Sequence, residues 1–125
     1  MPKEIKTDKA PAAIGSYSQA ICVGGFLYLS GQIPIVPETG ELLSGDIASQ
    51  TEQVIRNIEA VLLEGGSNFD NVIKTTCFLQ DIGDFTEFNK VYAKHFVSKP
   101  ARSCVAVAAL PKGALVEIEV IAVVK

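Results

Sequence analysis

From the amino terminus, apolar positions first gather as two short segments, Ala20 to Val23 and Phe26 to Ser30, either side of Gly24-Gly25. Two extended segments around a glycine pair predict a β-hairpin, since glycine supplies the backbone that a tight two-residue turn demands. Pro34, Pro37 and Thr39-Gly40 make the next stretch a loop in which any strand is short or at an edge. Between Asp46 and Gly65 the pattern changes period. Ile47, Val54, Ile55, Ile58, Val61 and Leu62 fall at helical spacing, with Glu52, Gln53, Arg56 and Glu59 opposite. Asp46 or Ser44 can cap the start of this helix, and Gly65-Gly66 suits its end.

Asn71 to Gln80, rich in β-branched and aromatic residues, reads as a strand. A second helix follows, with Asp84 as N-cap and an apolar stripe of Phe85, Phe88, Val91, Tyr92 and Phe96. Ala101 to Ala109 and Leu115 to Val124 are Val- and Ile-rich strands joined through Pro111-Lys112-Gly113, which predicts an antiparallel hairpin at the carboxyl end. The order is ββ(β)αβαββ. Two helices with one stripe each cover one face of such a sheet, giving a two-layer α+β domain over residues 1–125. The last strand is apolar at both parities, with Val116, Ile118 and Val120 on one face and Leu115, Ile121 and Val123 on the other. A single helical layer cannot bury both, so the open sheet face is expected to pack against further copies of the chain.

Composition narrows this little: 125 residues at 48% hydrophobic content fit one core. A net charge of -3, without a cluster of Lys and Arg, argues against a nucleic-acid partner. Lys3, Glu4, Lys6, Asp8 and Lys9 break up any secretory h-region, and no apolar run approaches the length of a membrane span, so the chain is expected to be cytoplasmic and without a membrane partner. Cys22, Cys77 and Cys104 have neither CxxC spacing nor an even count, which leaves no disulfide framework or thiolate zinc site. His95 stands alone between Lys94 and Phe96, without partners for a metal centre or a Ser-His dyad, and the glycines fit neither a phosphate loop nor a dinucleotide fingerprint. The expectation is no metal and no cofactor. Asp81, Asp84 and Glu87 are explained by a helix start.

The segment Pro100-Ala101-Arg102-Ser103-Cys104, with Val116-Glu117-Ile118-Glu119 on the returning strand, carries the most chemistry. Arg102 and Cys104 share one strand face, as do Glu117 and Glu119. With an even-length connection the two sets would meet on one side of the predicted hairpin. A guanidinium among apolar β-residues needs an acid or an anionic ligand, so Arg102 faces Glu117/Glu119 or a carboxylate. A structural ion pair at a subunit interface fits the same residues.

Four segments, Ala10-Pro11-Ala12-Ala13-Ile14-Gly15-Ser16-Tyr17-Ser18-Gln19, Ser30-Gly31-Gln32-Ile33-Pro34, Pro100-Ala101-Arg102-Ser103-Cys104-Val105 and Glu117-Ile118-Glu119, resemble the RidA/YjgF family in order and spacing, nearly end to end. The resemblance implies a chorismate-mutase-like α+β fold, a mixed sheet with two helices on one face, and a homotrimer whose sheets form a central barrel with clefts between subunits. It implies a cofactor-independent 2-iminobutanoate/2-iminopropanoate deaminase, releasing 2-oxo acids and ammonia. Arg102 then binds the substrate carboxylate, Glu117 activates water, and Cys104 lines the pocket as wall and backbone. Tyr17, the Ser30-Gly31 backbone and Asn89 complete the substrate site. Departures are Ser16, where many relatives carry Pro, and Ala106 to Ala109, where charges are common; neither bears the chemistry. The alternative is a non-catalytic trimer that binds small 2-oxo or carboxylic acids as a regulator. A ribonuclease role, attached to some relatives, is disfavoured by the acidic balance.

Overall fold

The structure is a computed structural model that describes residues 1–124. Its strands are β1 (Lys3–Ile5), β2 (Ala20–Val23), β3 (Phe26–Gln32), β4 (Ile35–Val36), β5 (Glu41–Leu42), β6 (Val72–Leu79), β7 (Ala101–Ala106) and β8 (Val116–Val123), with helices α1 (Ile47–Glu64) and α2 (Phe85–His95). Six strands form one sheet in the order β1-β2-β3-β8-β6-β7, and β4-β5 is a separate small ribbon. Gly24 and Gly25 adopt φ of 60° and 83° between the paired residues Val23 and Phe26, the turn that the glycine pair predicted. The short edge strands β4 and β5 lie in the Pro- and Gly-punctuated stretch, and β1 is an addition to the predicted order.

Helix α1 starts at Asp46, whose carboxylate accepts from the Ser49 amide at 2.9 Å. Asp84 makes no side-chain cap to α2; the preceding turn is held instead by Asp81, which accepts from the Gly83 amide. Both helices pack on one sheet face, where Leu27, Val54, Ile58, Val61, Leu62, Phe88, Val116 and Ile118 are fully buried. The two layers and the mixed sheet follow the sequence-based expectation. No described helix is long and apolar enough to cross a membrane. The opposite sheet face leaves Val23, Phe26, Tyr28 and Val105 between 36% and 47% exposed, an apolar surface that one chain cannot cover.

The carboxyl-terminal hairpin is not formed. β7 pairs in parallel with β6 alone, and β8 inserts antiparallel between β3 and β6. The physical reason is the crossover through α2, which returns the chain to the outer side of β6, so residues 107–115 must pass β6 to reach the vacant inner position.

One buried amide ties the β4-β5 ribbon to α1. Asn57, 1% exposed, donates to the carbonyls of Ile33 at 3.2 Å and Ile35 at 2.9 Å and accepts from Gln53 at 3.0 Å. Asn57→Ala strands these groups away from water and is expected to cost about 2–3 kcal/mol. Urea unfolding monitored by far-UV circular dichroism checks this.

Candidate active site

The register of β6 with its two neighbours decides where the predicted residues point. Thr75 pairs with Arg102 and Cys77 with Cys104, so Arg102 and Cys104 lie on the helix-covered face. Thr76 pairs with Glu119 and Phe78 with Glu117, which places both acids on the open face. Arg102 and Glu117 of one chain therefore stand on opposite sides of the sheet. The expectation that they meet on one side of a hairpin is corrected, because β6 lies between their strands and sets their parities independently.

Each of the two forms its own cleft. The first, of about 560 Å³, is lined by Tyr17, Ser30, Gly31 and Glu117, with Ile14, Ile33, Ile35 and Lys112. A bulge builds its centre: between the pairs Leu29–Val120 and Gln32–Ile118, Ser30 and Gly31 oppose the single residue Glu119. The Glu117 carboxylate lies directly against Gly31, where a Cβ would collide with it. The Ser30 hydroxyl donates to the Ser18 carbonyl at 2.6 Å, so its side chain fixes the loop before β2. Gln19, 3% exposed, holds the amino-terminal segment: its carbonyl accepts from the Thr7 amide at 2.7 Å and its amide donates to the carbonyls of Thr7 at 3.0 Å and Pro11 at 2.8 Å. That clamp positions the segment leading to Tyr17, and the resemblance alone did not mark Gln19 as important. A larger groove of about 730 Å³ runs along residues 4–13 and shares only Tyr17 with the predicted site.

Burial pushes the Glu117 carboxyl above its ordinary range, and the neighbouring Glu119 charge adds to the rise. No described cation lies within ion-pair distance of it. A half-buried carboxylate without a paired cation, aimed into a cleft and more basic than an ordinary carboxylate, has the character of a proton acceptor.

The second cleft, of about 570 Å³, is lined by Arg102 and Asn89 with Tyr92, Val97, Lys99 and Pro100. Arg102 Nη1 donates to Asn89 Oδ1 at 2.7 Å, and no described carboxylate pairs with the guanidinium. Its remaining donors are disposed to take a planar anion. Burial raises the Cys104 thiol above its ordinary pKa, a shift opposed by Arg102, which disfavours a nucleophilic thiolate there. Cys77, paired in register behind it, is pushed up to about 12 by burial. Among the described residues, the two non-glycine positions with left-handed backbone, Lys99 (φ 52°) and Lys112 (φ 58°), each line one cleft. His95 lies elsewhere and joins the helices through Glu52 of α1 at 2.9 Å.

Thus the structure brings Tyr17, Ser30, Gly31 and Glu117 together, and separately Asn89 and Arg102, with Cys104 alongside on the same strand face. Lys112, Ile14, Tyr92 and Phe85 are neighbours that sequence reasoning did not place at either cleft.

Residues 7–124 match the family model described as Endoribonuclease L-PSP. The chain is 58% identical over 124 residues to a Lactococcus lactis protein whose name, AldR, is that of a proposed regulator, covering 98% of each. It is 48% identical over 120 residues to a human protein named 2-iminobutanoate/2-iminopropanoate deaminase, covering 95% of this chain and 88% of that one. A crystal structure of a Rid family protein from Yersinia pestis superposes with a TM-score of 0.97 at 56% identity, over 99% of this chain and all of that one. With the four signature segments in place on this fold, the chain belongs to the RidA/YjgF family of L-PSP-type proteins.

Proposed function

We propose that the protein is a 2-imino acid deaminase whose working site is completed by a neighbouring copy of the chain. The observation that carries this is the separation of Arg102 and Glu117 onto opposite sheet faces, each in its own cleft and each without a charged partner among the described residues. One cleft offers a carboxylate seat and the other a water-activating acid, so a copy that docks the Arg102 cleft onto its neighbour's Glu117 cleft joins the two. The exposed apolar sheet face supports a homotrimer with its sheets turned inward around a barrel, as does the family.

In the joined cleft Arg102 binds the carboxylate of the protonated 2-imino acid and fixes C2. Glu117, ionised, takes a proton from water as the oxygen adds to C2. The resulting carbinolamine carries its nitrogen as an amine; Glu117 returns the proton to it, the C–N bond breaks, and the hydroxyl proton is lost as the 2-oxo acid forms. Imine and water become 2-oxo acid and ammonia, and no residue needs to form a bond to substrate. Tyr17 and the Gly31 backbone line the reacting centre, and Asn89 holds Arg102. The human relative's name supports 2-iminobutanoate and 2-iminopropanoate as substrates.

The test is release of ammonia and 2-oxo acid from these two imines, generated in situ by a PLP-dependent dehydratase. Acceleration over the uncatalysed rate is expected, and its absence overturns the proposal. The pH profile adds a second check. Glu117 works as the base only when ionised and its pKa is raised, so kcat, which reports the substrate-bound enzyme, is expected to fall on acidification at a pH above the usual carboxylate range. Substrate in the cleft commits the charge of Arg102, leaving burial and Glu119 to set that limb.

The AldR name of the Lactococcus relative favours a second reading, a carboxylate-binding regulator using the same clefts. That reading needs Arg102 but has no use for an acid beside the ligand, so imine turnover by the wild type that depends on Glu117 separates the two.

A further inference from the structure

The Arg102 guanidinium has no carboxylate to orient it among the described residues, yet it is held from three sides. Its central carbon lies 4.7 Å from the Tyr92 ring centroid and 5.3 Å from that of Phe85, and Nη1 donates to Asn89 Oδ1 at 2.7 Å. All three partners project from α2, at positions 85, 89 and 92, which helical periodicity stacks on one face above β7. The bracket is anchored to the sheet as well. The Tyr92 hydroxyl shares a 2.8 Å hydrogen bond with Thr75 Oγ1, and Thr75 is the residue of β6 paired in register with Arg102. Tyr92 is 6% exposed and Thr75 fully buried, so this anchor is rigid. Tyr92 also stacks on Phe96 at 4.3 Å between centroids, which fixes the plane of its ring.

We infer that Tyr92 and Phe85 are positioning residues that hold the Arg102 guanidinium between their rings, with Thr75 locking Tyr92, and so pre-form the seat for the substrate carboxylate. An arginine side chain has many rotamers, and leaving it free until substrate arrives would cost affinity. Ring faces attract a guanidinium without using its N–H donors, so the clamp fixes the plane and leaves the edge free for bidentate contact. An acid in the same place would instead occupy the donors that the ligand needs. The inference rests on Arg102 being the carboxylate seat; that part of the proposed function it shares, while the chemistry at Glu117 is separate.

The experiment titrates 2-oxobutanoate, the stable 2-oxo acid product, into the assembled wild-type protein and into Tyr92→Phe, Tyr92→Leu, Phe85→Leu and Arg102→Ala, with Tyr92→Leu repeated in the Arg102→Ala background. Calorimetry reads Kd, and the Nε–Hε resonance of Arg102 in ¹⁵N-labelled protein reports the ring current of Tyr92. Tyr92→Leu is expected to weaken binding about tenfold, the scale of a cation–π contact that the bound ligand and the neighbouring copy cover from water, and to shift the Arg102 resonance downfield. Phe85→Leu is expected to have a smaller effect, and Tyr92→Phe, which keeps the ring, to remain within a few-fold of wild type in binding and resonance position. In the Arg102→Ala background Tyr92→Leu should cause no further loss. In turnover the loss should fall on KM rather than kcat.

Unchanged Kd in Tyr92→Leu with cooperative thermal unfolding retained overturns the inference. So does an undiminished loss without Arg102, or failure of the wild type to bind 2-oxobutanoate. Because Tyr92 is core, Tyr92→Leu could fail to fold; Phe85→Leu and the resonance position in Tyr92→Phe then decide. Binding with the expected clamp dependence but without imine turnover would leave the clamp standing and remove the deaminase.

Discussion

Glu117→Gln is expected to lower kcat for 2-iminobutanoate by about 10²–10⁴-fold, the usual contribution of a positioned general base, while 2-oxobutanoate still binds within a few-fold of wild type. Gln preserves the size of the side chain beside Gly31 and removes its negative charge and its ability to accept a proton. Arg102→Ala is expected to weaken binding and lower turnover together, leaving a residual affinity measurable at high ligand concentration, because the proposed guanidinium contact would be made in every state of the reaction. Neither variant should unfold the protein, because Glu117 and Arg102 face clefts and neither has a described ion-pair partner to strand. If turnover survives in Glu117→Gln, Glu117 is not the base and the proposed mechanism falls, while the absence of turnover in the wild type itself favours the regulator.

Mixing the two defects tests the assembly of the site. Arg102 and Glu117 of one chain lie on opposite faces of its sheet, so a cleft that uses both takes them from different copies. Chains carrying Arg102→Ala, co-refolded with chains carrying Glu117→Ala, should regain activity that neither shows alone. For random mixing of equal amounts in a closed ring, about one quarter of the clefts receive both intact residues. Recovery near that level, measured as ammonia release, supports the shared cleft; no recovery in verified mixed oligomers would show that one chain supplies both groups.

The second large effect is expected at Gly31, where an alanine Cβ would occupy the space of the Glu117 carboxylate. Gly31 does not need positive φ, so backbone strain plays no part in the outcome. The atoms in the way belong to the end of a flexible side chain, which can swing aside at little cost in folding. Gly31→Ala should therefore leave Tm nearly unchanged yet lower kcat about 100-fold, the order of loss that follows from displacing a catalytic group by an ångström. A fall in Tm of several degrees with kcat retained would mean that the glycine serves packing and that Glu117 is not held by it.

Much of this protein was determined by local sequence. The period of the apolar residues from Ile47 to Leu62 and from Phe85 to Phe96 specified two helices with one buried stripe each, because a helix of either pattern has only one face to bury. Gly24-Gly25 specified its turn through the φ values it alone tolerates at low cost. The doubly apolar last strand announced a sheet face in need of a partner. The candidate residues other than Asn89 were legible through the four signature segments, and local chemistry alone would have left Arg102 between an ion pair and a ligand site.

Strand order was a matter for the tertiary structure. Nothing within Ala101 to Val123 records that β6, nearly thirty residues earlier in the chain, will stand between its two strands, because strand pairing is a choice among non-local partners of similar propensity. Since side chains alternate with a period of two, that single choice moved Arg102 and Glu117 to opposite faces and into two separate clefts. The aromatic bracket was hidden for a related reason. Phe85 and Tyr92 look like core residues from their spacing, and only the packing of α2 above β7 reveals that the same rings also carry a cation.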